Sequence, residues 1–258
     1  MTSRYRISVG GVQLDTLDKN LLILDIGYAN PDRNVKKQTA ANLNGVDIAD
    51  TYVGEGRVTV TFELHIYDVA KRNEACQKVN AWAAKGGSLV TNDRSGQYLQ
   101  NVTCEQYADI SSAKNWTDPL TLVFATTNNP YWVASKAKSV SMTGKSASGT
   151  LSMDGNTGSA LVGVTVTANE SISSLQMTCG STTIKLTGIS VASGKQVIVD
   201  YINSRFIRIR ANGSSVMAKL DRSSSDNLLA KCGASNKVSI SANGKVTASF
   251  SARGCFLW

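Results

Sequence analysis

The stretch RVTVTFELHIY, residues 57–67, puts Val58, Val60, Phe62, Leu64 and Ile66 on one side of an extended chain and Thr59, Thr61, Glu63 and His65 on the other. A period of two marks a strand with one face in a core. At Asp68 the period changes. DVAKRNEACQKVNAWAAKGG repeats Val69, Cys76, Val79 and Ala83 at helical spacing with Trp82 beside them, opened by Asp68 as an N-cap and stopped by Gly86-Gly87. One amphipathic helix of about four to five turns therefore follows the strand and covers one face of a sheet.

Around this pair the signals are those of strands and turns. Gly54 and Gly56 supply a turn before the alternating strand, and Asn44-Gly45 marks a hairpin or tight turn. GSLVTNDRSGQYLQNVTCEQYAD reads as strand, turn at Asn92-Asp93 through Gly96, and strand. A last strand through Leu120, Leu122 and Phe124 should end at Pro130, which cannot donate to a ladder. Tyr131 and Trp132 after it read as hydrophobic anchors for the next module rather than as a sugar-stacking pair.

After NNPYW the texture changes. Residues 135–258 hold no convincing helix, only short β-rich runs separated by Gly, Asn, Ser or Asp, the pattern of an all-β sandwich. Charge changes at the same place. Residues 1–134 carry 13 Lys and Arg against 14 Asp and Glu, while 135–258 carry 14 against 5, which accounts for the net charge of +8. We expect two domains, 1–134 and 135–258, with limited proteolysis near Lys136 or Lys138. In RFIRIRA, Arg208 and Arg210 share one face, either a positive surface or the charges that keep an edge strand from pairing.

The search for chemistry comes back empty. The single histidine, His65, lies on the polar side of a strand, so a Ser-His or Cys-His mechanism has one base to use and no evident partner. TGKSAS ends like a phosphate-binding loop, but Ser139 stands where the pattern needs glycine, and the segment reads as a turn. Asp221 and Asp226 fall in an apparent loop and make poor candidates for paired carboxylate catalysis. Cys76, Cys104, Cys179, Cys232 and Cys255 are odd in number, widely spaced and without a CxxC, so they read as free thiols, neither a metal knuckle nor a disulfide framework. We assign no catalytic, cofactor-binding or metal-ligating residue and no enzymatic activity.

The longest apolar run, NLLILDIGY, is broken by Asp25, so no membrane insertion is expected. MTSRYRISVGG lacks a signal-peptide core, so folding is expected in the cytosol that makes the chain. Scattered basic residues without a recognition motif argue against specific nucleic-acid binding. They suit a solvated basic surface, or one matched to an acidic polymer or partner, with Tyr201 and Phe206 as the first choices for any sugar-stacking role.

Taken in order, ISVGGVQL, AANLNGVDIADTYVGEGR, VTVTFELHIYD, the helix with Trp82 near its end, GSLVTNDRSGQYLQNVTCEQY and LVFATTNNPYW resemble the distal tail protein (Dit) family of siphophages, over residues 5–134. The resemblance implies a mainly β chain: an N-terminal β-sandwich with one helix, the belt of a homohexameric ring, and a C-terminal galectin-like or carbohydrate-binding-module-like sandwich. It also implies a virion tail-tip location, made in the host bacterial cytoplasm. The implied partners are the chain itself, the tail tube protein, the tail-tip or tail-associated lysin protein, and a receptor-binding protein or host-wall polymer. AANLNGVDIADTYVGEG, poorly explained by an intrachain hairpin alone, is the segment expected to cross to a neighbour. Readings from other classes are a carbohydrate-binding adhesin module and a tail-tube or minor tail subunit.

Overall fold

The computed structural model describes residues 4–38, 47–112, 115–202 and 206–257, which form two compact units, residues 1–132 and 133–257. Both are mainly β, and the first also holds one α-helix.

In the N-terminal unit the strands are β1 (Ile7–Val9), β2 (Val12–Gln13), β3 (Leu21–Ala29), β4 (Arg33–Gln38), β5 (Asp47–Val53), β6 (Arg57–Leu64), β7 (Gly87–Thr91), β8 (Gln97–Gln106) and β9 (Leu120–Thr126). Helix α1 spans Val69–Ala84 between β6 and β7. The main sheet runs β2-β1-β7-β8-β9-β6-β3, while β4 and β5 pair antiparallel as a sheet of their own. That second pairing corrects one expectation: residues 47–53 do form an intrachain hairpin arm, and the Asn44-Gly45 turn lies outside the described residues.

Alternation in β6 buries Val58, Val60, Phe62 and Leu64, each at most 1% exposed. In β3 the alternation slips. A bulge between Ile23 and Asp25 lets Leu24 and Asp25 both face outward, which is how an acid is accommodated inside an apolar run. The helix is capped as its sequence requires, Asp68 accepting the Lys71 N–H at 3.0 Å. Its first turn is exposed, however, and Val69 is 61% exposed. The buried stripe begins one turn later, with Arg72, Ala75, Cys76, Val79, Trp82 and Ala83. Trp82 meets Phe124 edge to face at 5.8 Å, and its Nε1 donates to the Val12 carbonyl at 2.9 Å, so one side chain ties the helix to the sheet and to the β1–β2 hairpin. Gly86 ends the helix at a left-handed φ of 58°, where a Cβ would lie 2.6 Å from the Val102 carbonyl oxygen.

Strand β9 ends at Thr126, and Asn128 turns the chain at a φ of 68°. The strand thus stops before Pro130, because a left-handed asparagine has already left the ladder geometry.

The C-terminal unit continues from β10 (Trp132–Ala134) with β11 (Lys138–Ser152), β12 (Ser159–Leu161), β13 (Gly163–Ala168), β14 (Ile172–Cys179) and β15 (Thr182–Val191). Then come β16 (Gln196–Ile202), β17 (Phe206–Ala211), β18 (Ser214–Ser215), β19 (Leu229–Lys231), β20 (Ser235–Ala252) and β21 (Cys255–Phe256). The sheet runs β15-β14-β20-β13-β16-β17-β18 with β11 on the other edge of β20; β12 pairs β19, and β10 pairs β21.

Strand β20 is the spine. Val238 to Ala242 pair with β14, Val246 to Ser251 pair with β13, and β11 lines the opposite edge throughout. Between the two halves the register shifts, Gly144 facing Val246 but Ser146 facing Ser241. The surplus residues around Asn243 form a bulge whose backbone is satisfied locally. Asn243 Oδ1 accepts from the Ser173 and Ser174 N–H groups, and Glu170 accepts from Lys245 N–H at 2.9 Å. Even-numbered residues from Asn236 to Ile240 and from Val246 to Ala252 are buried on both sides of it, so the curl keeps one continuous core. Two expectations are corrected here. TGKSAS lies inside β11 at the bulge and is no turn, and the runs on β11 and β20 are long strands rather than short ones. Bulges draw on the same Gly, Asn and Lys that turns do, and only the distant pairing tells them apart.

Candidate functional site

The candidate surfaces are ionic and aromatic. On the β16–β17 ladder Asp200 stands opposite Arg208. Arg208 donates from Nε to Oδ1 at 2.7 Å and from Nη2 to Oδ2 at 2.8 Å, and Arg210 Nη2 reaches Oδ2 at 2.7 Å. The carboxylate sits below its ordinary pKa chiefly because of the Arg208 hydrogen bonds, with burial opposing. The face holding Arg208 and Arg210 is therefore a one-acid, two-base cluster and not an open positive stripe. The alternation in RFIRIRA sets the two arginines on one face but does not show the acid opposite them. The missed partner lies on the neighbouring strand, eight residues earlier in the chain.

Tyr201 is likewise a structural residue. Its hydroxyl accepts the Leu228 N–H at 3.0 Å and lies 3.2 Å from the Leu228 carbonyl and 3.3 Å from that of Val162; burial foremost pushes its pKa up to about 12. Its hydroxyl is engaged inside the unit, which fixes the ring it carries. Phe206 does face solvent, 59% exposed, opposite Ile202 at 44%. A shallow groove of about 290 Å3 between β14, β15 and β20 is lined by Ser174, Gln176, Lys185, Ser241 and Asn243 with aliphatic Leu175, Leu186 and Ala242, and holds no aromatic ring.

In the N-terminal unit His65 is half-buried, its Nε2 2.5 Å from Glu63 Oε2 and its ring edge-on to Trp116 at 5.1 Å. Tyr67, 80% exposed, tilts against the same Trp116 at 5.0 Å. The polar contact of His65 is with a carboxylate rather than with a hydroxyl or thiol to activate. Trp132 is fully buried beside Tyr28, edge to face at 5.8 Å, and Arg94 lies over both rings at 5.1 and 5.2 Å. Tyr28 donates to Asp93 at 2.6 Å, and burial followed by that bond raises its pKa. Tyr131 is half-buried. Asp221 lies in a loop and accepts from Ser223 N–H at 2.9 Å and Oγ at 2.6 Å, which lowers its pKa.

All five cysteines are buried thiols. Among the described residues no three His, Cys, Asp or Glu side chains gather as a metal site, and no helix is long and apolar enough to cross a membrane. What these surfaces can do chemically is bind, through ion pairs, stacking and main-chain edges.

No protein-family model matches the sequence, and no curated protein matches it. Solved structures do. The chain is similar to the Dit protein of phage SPP1, described as a paradigm of the hub adsorption apparatus in phages infecting Gram-positive bacteria. The TM-score is 0.73 at 14% identity, over 96% of this chain and 98% of that one. It is also similar to a chain of the phage P2 baseplate in its activated conformation with Ca, at a TM-score of 0.50 and 7% identity over 97% of both. The fold is that of these hub and baseplate proteins along nearly the whole length.

Proposed function

We propose that the chain is a structural tail-tip protein of a long-tailed phage, a distal tail protein without enzymatic activity. Its copies close into a homohexameric ring that joins the tail tube to the tail-tip or tail-associated lysin protein and gives a receptor-binding protein its seat. The observation that carries this reading is the likeness to SPP1 Dit across 96% of the chain, which takes in both units rather than one common β-sandwich.

Physical features support it. A closed ring needs a heterologous interface, one patch meeting a different patch on the next copy. The β4–β5 hairpin, which joins no other sheet among the described residues, offers unpaired edges for such a contact. Residues 135–258, with 14 bases against 5 acids, present a field suited to an acidic wall polymer or an acidic face of another tail protein.

Light scattering and negative-stain images of the purified full-length protein test the reading. Rings of six copies, single or paired, are expected. A strict monomer across the micromolar range defeats it, and a monomer that binds wall glycan points to an adhesin. Filaments of stacked rings assign a tail-tube subunit instead.

A further inference from the structure

Three glycine-bearing turns of the C-terminal unit meet and bring two cysteines together. Asp154-Gly155 follows β11, Cys232-Gly233 joins β19 to β20, and Gly254-Cys255 leads into β21. The approach leaves no room for side chains at the glycines. A Cβ on Gly155 would lie 2.4 Å from the Cys255 carbonyl oxygen and 2.9 Å from Cys232 Cβ, and one on Gly233 would lie 2.8 Å from the Gly155 carbonyl oxygen. Backbone bonds fix the crossing: Asn156 N–H donates to Cys255 O at 3.1 Å, and Cys232 N–H donates to Gly158 O at 3.2 Å.

At this crossing the Cys255 N–H donates to Cys232 Sγ at 3.3 Å, and the Cys255 side chain hydrogen-bonds the same sulfur. These contacts, the Cys255 side chain first, hold the Cys232 thiol below its usual range although burial opposes them. Burial pushes Cys76, Cys104 and Cys179 the other way. Only Cys232 among these combines thiolate character with a second cysteine in hydrogen-bond contact. It is buried, at 7% exposure, so the oxidant that meets it must be small.

We propose that Cys232 and Cys255 form a redox pair that closes to a disulfide on exposure to peroxide, riveting β21 to the turn between β19 and β20. The Cys232 thiolate attacks one oxygen of hydrogen peroxide; the O–O bond breaks, sulfur gains a hydroxyl, and the hydroxide released takes a proton to become water. The Cys255 sulfur then attacks the sulfenic sulfur, the S–S bond forms, the S–OH bond breaks, and the hydroxyl leaves with the thiol proton as a second water. Two thiols and one peroxide thus give one disulfide and two waters. The bond closes a loop from 232 to 255 that contains all of β20, and it does not depend on the assembly the chain enters.

Peptide mapping tests this on the full-length protein, reduced, freed of reductant and treated with a modest molar excess of hydrogen peroxide. After alkylation in denaturant, trypsin should release CGASNK (residues 232–237) joined to GCFLW (residues 254–258), separable by dithiothreitol, with Cys76, Cys104 and Cys179 alkylated. Cys232→Ser and Cys255→Ser should each leave the other cysteine alkylatable. The proposal is overturned if all five cysteines stay alkylatable, if Cys232 goes to sulfinic acid beside an alkylated Cys255, or if the linked peptides involve another cysteine. Should a variant fail to fold, the wild-type peptide map decides alone.

Discussion

Arg208 holds Asp200 through two parallel hydrogen bonds of 2.7 and 2.8 Å across the β16–β17 ladder, and Arg210 adds a third. Asp200→Asn keeps the shape and removes the charge that both guanidiniums share. The pairs are partly exposed and solvent-screened, so we expect a loss of about 1 kcal/mol at neutral pH, read from the urea midpoint. The pH dependence follows from the depressed pKa of Asp200. Its contribution is present above the unfolded carboxylate value of about 4 and is lost as pH falls through the lower folded value. The gap between wild type and variant should close in acid. A gap that persists at the acid end would show that packing, not charge, had been removed.

Trp82 offers a cleaner separation of polar from apolar contributions. Trp82→Phe retains an aromatic ring against Phe124 and deletes the donor to Val12 O, leaving a carbonyl short of its partner. The expected cost is roughly 1–2 kcal/mol, against roughly 3–5 kcal/mol for Trp82→Ala. Equal losses in the two variants, measured by denaturant unfolding, would mean the hydrogen bond carries the site.

Replacing residues 35–51 by a short Asn-Gly turn removes the outer part of the β4–β5 hairpin without touching the main sheet. The circular dichroism and urea midpoint should stay close to wild type while the ring mass is lost. Retention of the ring would assign the interface elsewhere.

Lys136 and Lys138 differ in a way that proteolysis can read. Lys136 is exposed between β10 and β11, whereas Lys138 begins β11, pairs in register with Ala252 and has an ion pair with Asp154 at 3.2 Å. Trypsin should therefore nick first after Lys136, with N-terminal sequencing as the check. First cleavage at a site other than Lys136 or Lys138 would remove the case for an accessible segment there.

What could be read from the sequence depended on how far apart the deciding residues lie. Val58 to Leu64, the Asp68 cap and Gly86 are local devices, so their strand, helix start and helix stop were visible directly. TGKSAS reads as a turn, because only a ladder joining β11 to β20 across more than eighty residues makes it part of a bulged strand pair. Arg208 and Arg210 looked like a surface field, since their partner sits on another strand, and Tyr201 looked available because Leu228 and Val162 are remote in sequence. The cysteines were dismissed on spacing, and what brings Cys232 to Cys255 is three glycines in three separate turns.

The position of β20 has a consequence for synthesis. Residues 138–231 supply β11, β13 and β14, and although β13 and β14 pair one edge with β16 and β15, each of the three pairs an edge with a strand that begins at Ser235. While the ribosome is making that stretch, these edges have nothing to pair with, and sticky strand backbone stands open for the time needed to translate it. Strands β1 to β9 of the N-terminal unit are all made before this. Folding of the chain is thus ordered by translation, with the interval of greatest exposure to aggregation falling late and ending when β20 emerges.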